Sequence, residues 1–250
     1  MWKRPAAYRA AALVVGAAAL TGAAVLAGYS GTQTARLQSG RNAGATSAAA
    51  HTASLAATGQ RQATLALVSG AATVTVEGAA LPGTLVHAWT PTNSGVRPEL
   101  LASAGRVQLF LDNTGQSGAG AISIQLSPVV NWQLQFSGGS NQTILDLSDS
   151  KISSIDFTAG ASLIQMTLPR PSGTATITLA GGVSQVILTV PRGVPTRLRL
   201  NGGASTATLA GKTHVGLQRG TELSSPGWAQ AANRYDIDAS AGISDISVSN

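Results

Sequence analysis

Three histidines, ten carboxylates and sixteen Lys/Arg are the ionisable groups from which a reactive site could be built, and there is no cysteine. His51, His87 and His214 stand far apart. A metal site wants His or carboxylate ligands at helical i, i+4 spacing or at alternate strand positions. No such set occurs, so no metal and no cofactor is expected. Two carboxylate pairs are close enough in sequence to suggest the converging acids of a glycosidase: Asp146 with Asp149, and Asp236 with Asp238. The first lies in "LDLSDS", where an aspartate more readily holds turn N–H groups. The second alternates along a strand-like run and is expected to meet arginines. No Ser-His-Asp ordering is persuasive among the abundant serines, the G-x-S-x-G elbow does not occur, and the glycine-rich stretches are not followed by a helix that could cradle phosphate. Without cysteine, disulfides and thiolate chemistry are excluded. The remaining candidates are interaction residues: Trp228, Lys212 and Arg219 in an irregular segment, and Arg170 and Arg192 near one edge with Lys212. They define a contact surface, and no catalytic residue is assigned.

The charge balance narrows the partners. Net charge is +6, from thirteen Arg and three Lys against ten acids. No basic cluster interleaves with aromatics, as a nucleic-acid binder requires, so nucleic acid is excluded as a partner. Aromatics are 4% and charged residues 10% of the chain, so Leu, Val and Ile must form the core and Ser, Thr, Gln and Gly much of the surface. That is the composition of a β-rich protein.

The N-terminus addresses the compartment. Lys3, Arg4 and Arg9 precede an uncharged run from Ala10 to Gly28. Its nineteen residues match the hydrocarbon thickness of a bilayer in helical form, and the basic flank orients the remainder of the chain outside the cytoplasm. Residues 1–29 are therefore read as a signal anchor, giving a single-pass protein of the cell membrane. Cleavage after "VLA" at Val25 to Ala27, with secretion, is the alternative. Residues 30–62, rich in Ser, Thr, Gly and Ala and without apolar periodicity, read as a flexible linker to a domain over residues 63–250.

That domain repeats. Counting from Gly182, Ile177 and Leu179 precede, and Val186 and Leu188 follow. The same offsets give Leu198, Leu200, Ala207 and Leu209 around Gly203, Ile155, Phe157, Ile164 and Met166 around Gly160, and Leu134, Phe136, Thr143 and Leu145 around Gly139. The anchors are 21, 22 and 21 residues apart. Gly242, Gly118 and Gly70 head further, less regular units. Apolar residues two apart mark half-buried strands, so each unit is strand, glycine turn, strand, with the glycines expected at positive φ. A unit this short cannot bury its own apolar face, but stacked units can. The fold class predicted is all-β, a β-solenoid of 21–22-residue rungs after an N-terminal hydrophobic helix and a linker, with a β-sandwich as the alternative. Stacking would set Arg197 beside Asp236 and Arg199 beside Asp238.

The run "LDLSDSKISSIDFTAGASLIQMTLPRPSGTATITLAGGVSQVILTVPRGVPTRLRLNGGAS" resembles the repeats of adhesin-type β-solenoid domains of bacterial envelope proteins. More distantly it is similar to the extracytoplasmic C-terminal domain of cell-wall-antibiotic response membrane proteins. The similarity covers Trp132 to Asn250. It implies an envelope protein concerned with interaction or stress sensing, with no known chemistry. The chain departs from these families in having a single hydrophobic segment, and "LPRPSG" at Leu168 to Gly173 sits inside the domain, not at its end. The expectation is a non-enzymatic, membrane-tethered domain whose partner is an envelope protein or a cell-wall polymer. A carbohydrate-active enzyme on a β-helix scaffold is the alternative. The sequence does not specify an oligomeric state.

Overall fold

The computed structural model describes residues 50–249. The anchor or signal over residues 1–29 and most of the linker lie outside the described residues. Nineteen strands follow one another, with one 3-10 turn at Trp228–Gln230. The first seven are β1 (Thr52–Ala56), β2 (Gln62–Leu67), β3 (Ala71–Gly78), β4 (Thr84–Trp89), β5 (Val96–Ser103), β6 (Arg106–Asn113) and β7 (Ala121–Leu126). The regular repeats supply β8 (Asn131–Phe136), β9 (Ser140–Asp146), β10 (Lys151–Phe157), β11 (Ala161–Thr167), β12 (Thr174–Leu179), β13 (Val183–Thr189), β14 (Thr196–Leu200) and β15 (Ala204–Leu209). The chain ends with β16 (Lys212–Leu217), β17 (Thr221–Ser224), β18 (Arg234–Ala239) and β19 (Ile243–Ser249).

These strands form two mixed sheets, of ten and nine strands, in the orders β1-β4-β7-β3-β9-β11-β13-β19-β15-β16 and β17-β14-β18-β12-β10-β8-β2-β6-β5. Neither sheet closes on itself. Within each repeat unit the first strand joins the nine-stranded sheet and the second joins the ten-stranded one. The inner strands are parallel, and antiparallel pairs lie toward the ends. The inward residues of both sheets form one core, so the architecture is all-β and sandwich-like.

The repeat ruler predicts the core. In the nine-stranded sheet the register runs Leu65, Leu134, Ile155, Ile177, Ile237, Leu198, each opposite the next and all buried. In the ten-stranded sheet Leu145, Met166, Leu188, Val248 and Leu209 do the same. Phe136 and Phe157 stack at 4.6 Å between ring centres. Each ladder step removes apolar surface that a single unit would leave wet.

Three expectations are corrected. First, the units do not stack in chain order. Strands β18 and β19 insert between β12/β13 and β14/β15, and β2/β3 lie between β6/β7 and β8/β9. A solenoid wound in chain order is therefore not what forms. Contacts that fasten the late unit into place are visible: buried Tyr235 donates its hydroxyl to the Pro169 carbonyl at 2.6 Å, and the Gly173 N–H donates to Asn233 Oδ1 at 2.8 Å. Second, most anchor glycines are not at positive φ; Gly203 is the exception at +80°. At Gly70 and Gly160 the need is closeness of neighbouring turns, since a Cβ would lie 2.8 and 2.9 Å from the Gly139 and Gly182 carbonyl oxygens, and the glycine just before an anchor is tighter still. A Cβ on Gly181 would collide with the Ala159 carbonyl and the Gly160 nitrogen. Third, the segment read as linker contains β1, which pairs antiparallel with β4. Leu55 alone of its residues is a large apolar side chain, too little to show periodicity.

Candidate functional site

Alternation along β14 sends Leu198 and Leu200 into the core and Arg197 and Arg199 to the outer face. The parallel register with β18 sets them opposite Asp236 and Asp238. Arg197 grips Asp236 with two N–H groups, Nη2 to Oδ2 at 2.8 Å and Nε to Oδ1 at 3.1 Å. Arg199 Nη2 lies 3.2 Å from Asp236 Oδ2 and 3.4 Å from Asp238 Oδ2. Both expected ion pairs therefore form. Glu222 of β17 stands 3.8 Å from Arg197, and Asn201 Nδ2 donates to Asp238 Oδ1 at 2.8 Å. The Arg197 hydrogen bonds hold the Asp236 carboxyl below the usual carboxylate range against the opposing effect of burial, with Arg199 assisting. The same bonds raise Arg197. Burial pushes the Tyr235 phenol up.

Trp228 completes this cluster. Two guanidinium carbons lie over its ring, that of Arg197 at 3.8 Å and that of Arg234 at 4.3 Å from the ring centre. Its indole N–H donates to the Tyr235 carbonyl at 2.8 Å, and Arg234 Nη1 donates to the carbonyls of Trp228 and Ala229. The side chain is half-buried and packed against two cations. It is thus a clamp over β14 and β18, neither a core filler nor a bare aromatic anchor.

The basic candidates separate. Arg170 and Arg192 occupy equivalent turns, and Arg170 Nη2 donates to the Arg192 carbonyl at 3.1 Å. Lys212 begins β16 on the same edge, three strands from β13, or roughly 14 Å at the usual strand spacing. Arg219 lies past the opposite end of β16, beside a shallow depression of about 510 Å³ bordered by Gly202, Gly203 and Gly242. A second shallow depression, about 520 Å³, follows the same glycine edge along Gly70, Gly120, Gly139 and Gly160.

On the opposite edge a more enclosed depression of about 480 Å³ is lined by Arg61, Asn131, Lys151, Arg170 and Ser172, with Val129 and Ile152. Arg61 and Lys151 were not among the sequence candidates. The signal was available: each stands nine residues before an anchor glycine, Gly70 and Gly160 respectively. No carboxylate lines this depression.

The described histidines are dispersed. His214 is exposed on β16. His87 Nδ1 is 2.7 Å from Ser54 Oγ across β1 and β4, and its ring stacks on Trp89 at 5.3 Å. Sequence reasoning missed this pair because Ser54 sits in the stretch read as linker. No group of three or more His, Cys, Asp or Glu able to hold a metal occurs among the described residues. No helix among the described residues is long and apolar enough to cross a membrane.

No family model matches the chain, and no curated protein does. Among solved structures, one similar fold is described as a "putative cell adhesion protein" from Clostridium sporogenes ATCC 15579. The two share 13% identity with a TM-score of 0.61, over 80% of this chain and 99% of that one. At that identity the likeness establishes a shared two-sheet β fold, and nothing finer.

Proposed function

We propose that the chain is a non-enzymatic, extracytoplasmic display domain, tethered to the cell membrane through Ala10 to Gly28 and acting in adhesion-like contact or envelope sensing. The observation that carries this reading is the fold shared with a protein described as a "putative cell adhesion protein" over nearly all of that protein's length. The export-type N-terminus supports it, since a basic flank before an apolar run directs translocation. The stacked units supply a rigid two-sheet scaffold, with binding carried on its edges and loops.

The enzyme alternative asks for two carboxylates facing a cleft about 5–10 Å apart. Asp236 and Asp238 are instead engaged by arginines, and Asp146 accepts from Ser148 within its turn. The Ser54–His87 contact has the nucleophile–base spacing, yet Ser54 is exposed and borders none of these three depressions. These arrangements favour display over catalysis.

The test is topology in cells. Full-length protein with a C-terminal epitope should sediment with membranes, and protease added to cells stripped of their outer layers should remove the epitope. A soluble cytoplasmic protein, protected from protease until lysis, would overturn the reading.

A further inference from the structure

Three cations converge on the enclosed depression at the edge away from the glycine turns, and no acid shares it. Among the described residues none of Arg61, Lys151 and Arg170 is in an ion pair, whereas Arg97, Arg197 and Arg199 are. The acids of this edge do not neutralise it. Asp146 is occupied with Ser148, and exposed Asp149 does not reach the depression. Like charges gathered in a concavity repel one another, and low-dielectric walls strengthen the field there. An anion relieves that repulsion. Two guanidiniums add forked donors suited to phosphate or carboxylate oxygens. Asn131 and Ser172 offer hydrogen bonds to hydroxyl groups, and Val129, 70% exposed at the rim, offers an apolar contact.

The edge continues beyond the depression. Arg192 adjoins Arg170, and Lys212 follows three strands along. Cations repeated along a stack of strands fit a ligand whose own charges repeat. We propose that this edge is a binding site for a polyanionic, hydroxylated polymer, a glycan or polyol chain bearing phosphate or carboxylate groups, seated with one anionic group among Arg61, Lys151 and Arg170. The proposal names the ligand of the extracytoplasmic display domain and rests on that reading.

The test uses the full chain in neutral detergent and two labelled probes, a glucuronate oligomer and a glycerol-phosphate oligomer, read by fluorescence anisotropy. At least one probe should bind, more weakly as salt rises. Arg61→Gln, Lys151→Gln and Arg170→Gln should each weaken binding about tenfold, while Arg170→Lys retains most of it and Arg97→Gln changes nothing. Inorganic phosphate should compete only at far higher concentration. Unchanged melting temperatures exclude unfolding as the cause. Failure of both probes, equal losses in Arg97→Gln, or phosphate competing as well as the oligomers would overturn the site. So would displacement by phosphatidylglycerol micelles with no oligomer binding, which would assign the cations to lipid. A chain that is accessible outside the membrane but binds neither oligomer loses this inference alone; a cytoplasmic chain loses the display reading.

Discussion

Asp236 sits at the centre of the charged network on the outer face, its side chain 11% exposed and gripped by Arg197 and Arg199. Removing its charge leaves two guanidiniums facing one another, so Asp236→Asn should cost about 2 kcal/mol in urea unfolding. The pH dependence is set by the direction of the shift. Asp236 is held below its unfolded value, so its contribution is complete above about pH 4 and is lost as pH falls toward the lowered value. The difference between wild type and Asp236→Asn should therefore close below about pH 4. A gap that stays constant down to pH 3 would show that the charge is not what stabilises. Trp228→Ala removes two cation–π contacts and an indole hydrogen bond, and should cost about 1–2 kcal/mol. Had Trp228 been only an exposed contact residue, stability would not change. The Arg197–Asp236 and Arg199–Asp238 pairs were legible because period-two alternation and the repeat ruler suffice to align them. The Trp228 clamp was not, because it depends on how an irregular segment folds back over β14.

At the scale of strands and turns, the paired glycines divide their labour. Gly181 faces the backbone of the Ala159–Gly160 turn, whereas a Cβ on Gly182 would come no nearer than 3.8 Å to Gly242 O. Gly181→Ala should thus destabilise by about 2–3 kcal/mol through overpacking, and Gly182→Ala by clearly less, under about 1 kcal/mol. Thermal unfolding of the two variants compares them directly, and equal effects would remove the close-approach explanation. The sequence showed that glycine was needed here but suggested the wrong reason, since a turn demanding positive φ and a turn demanding closeness leave the same letter. Strand β1 was hidden for a related reason. An edge strand with one large apolar residue is held by its backbone ladder, and backbone hydrogen bonds leave no mark in side-chain pattern.

Across the whole molecule, a fixed period predicted which residues share a ladder but not the order of the ladders. Units of equal length present near-identical apolar rows, Ile177 and Leu179 beside either Ile237 and Ala239 or Leu198 and Leu200, so the period alone allows more than one arrangement. The choice is made by contacts outside the repeat, such as Tyr235 on Pro169 and Arg234 on Thr174. The consequence reaches function, because the order of units decides which side chains meet at an edge. Arg61 and Lys151, ninety residues apart in sequence, share one depression because β8 bridges β2 and β10. The insertion of the last unit is also the feature most open to direct measurement, since a chain without cysteine accepts a clean engineered disulfide. Thr178 is paired with Asp238, and Arg199 lies on the far side of Asp238. Under mild oxidation Thr178→Cys with Asp238→Cys should cross-link, and Thr178→Cys with Arg199→Cys should not; the reverse result would restore stacking in chain order and contradict the account.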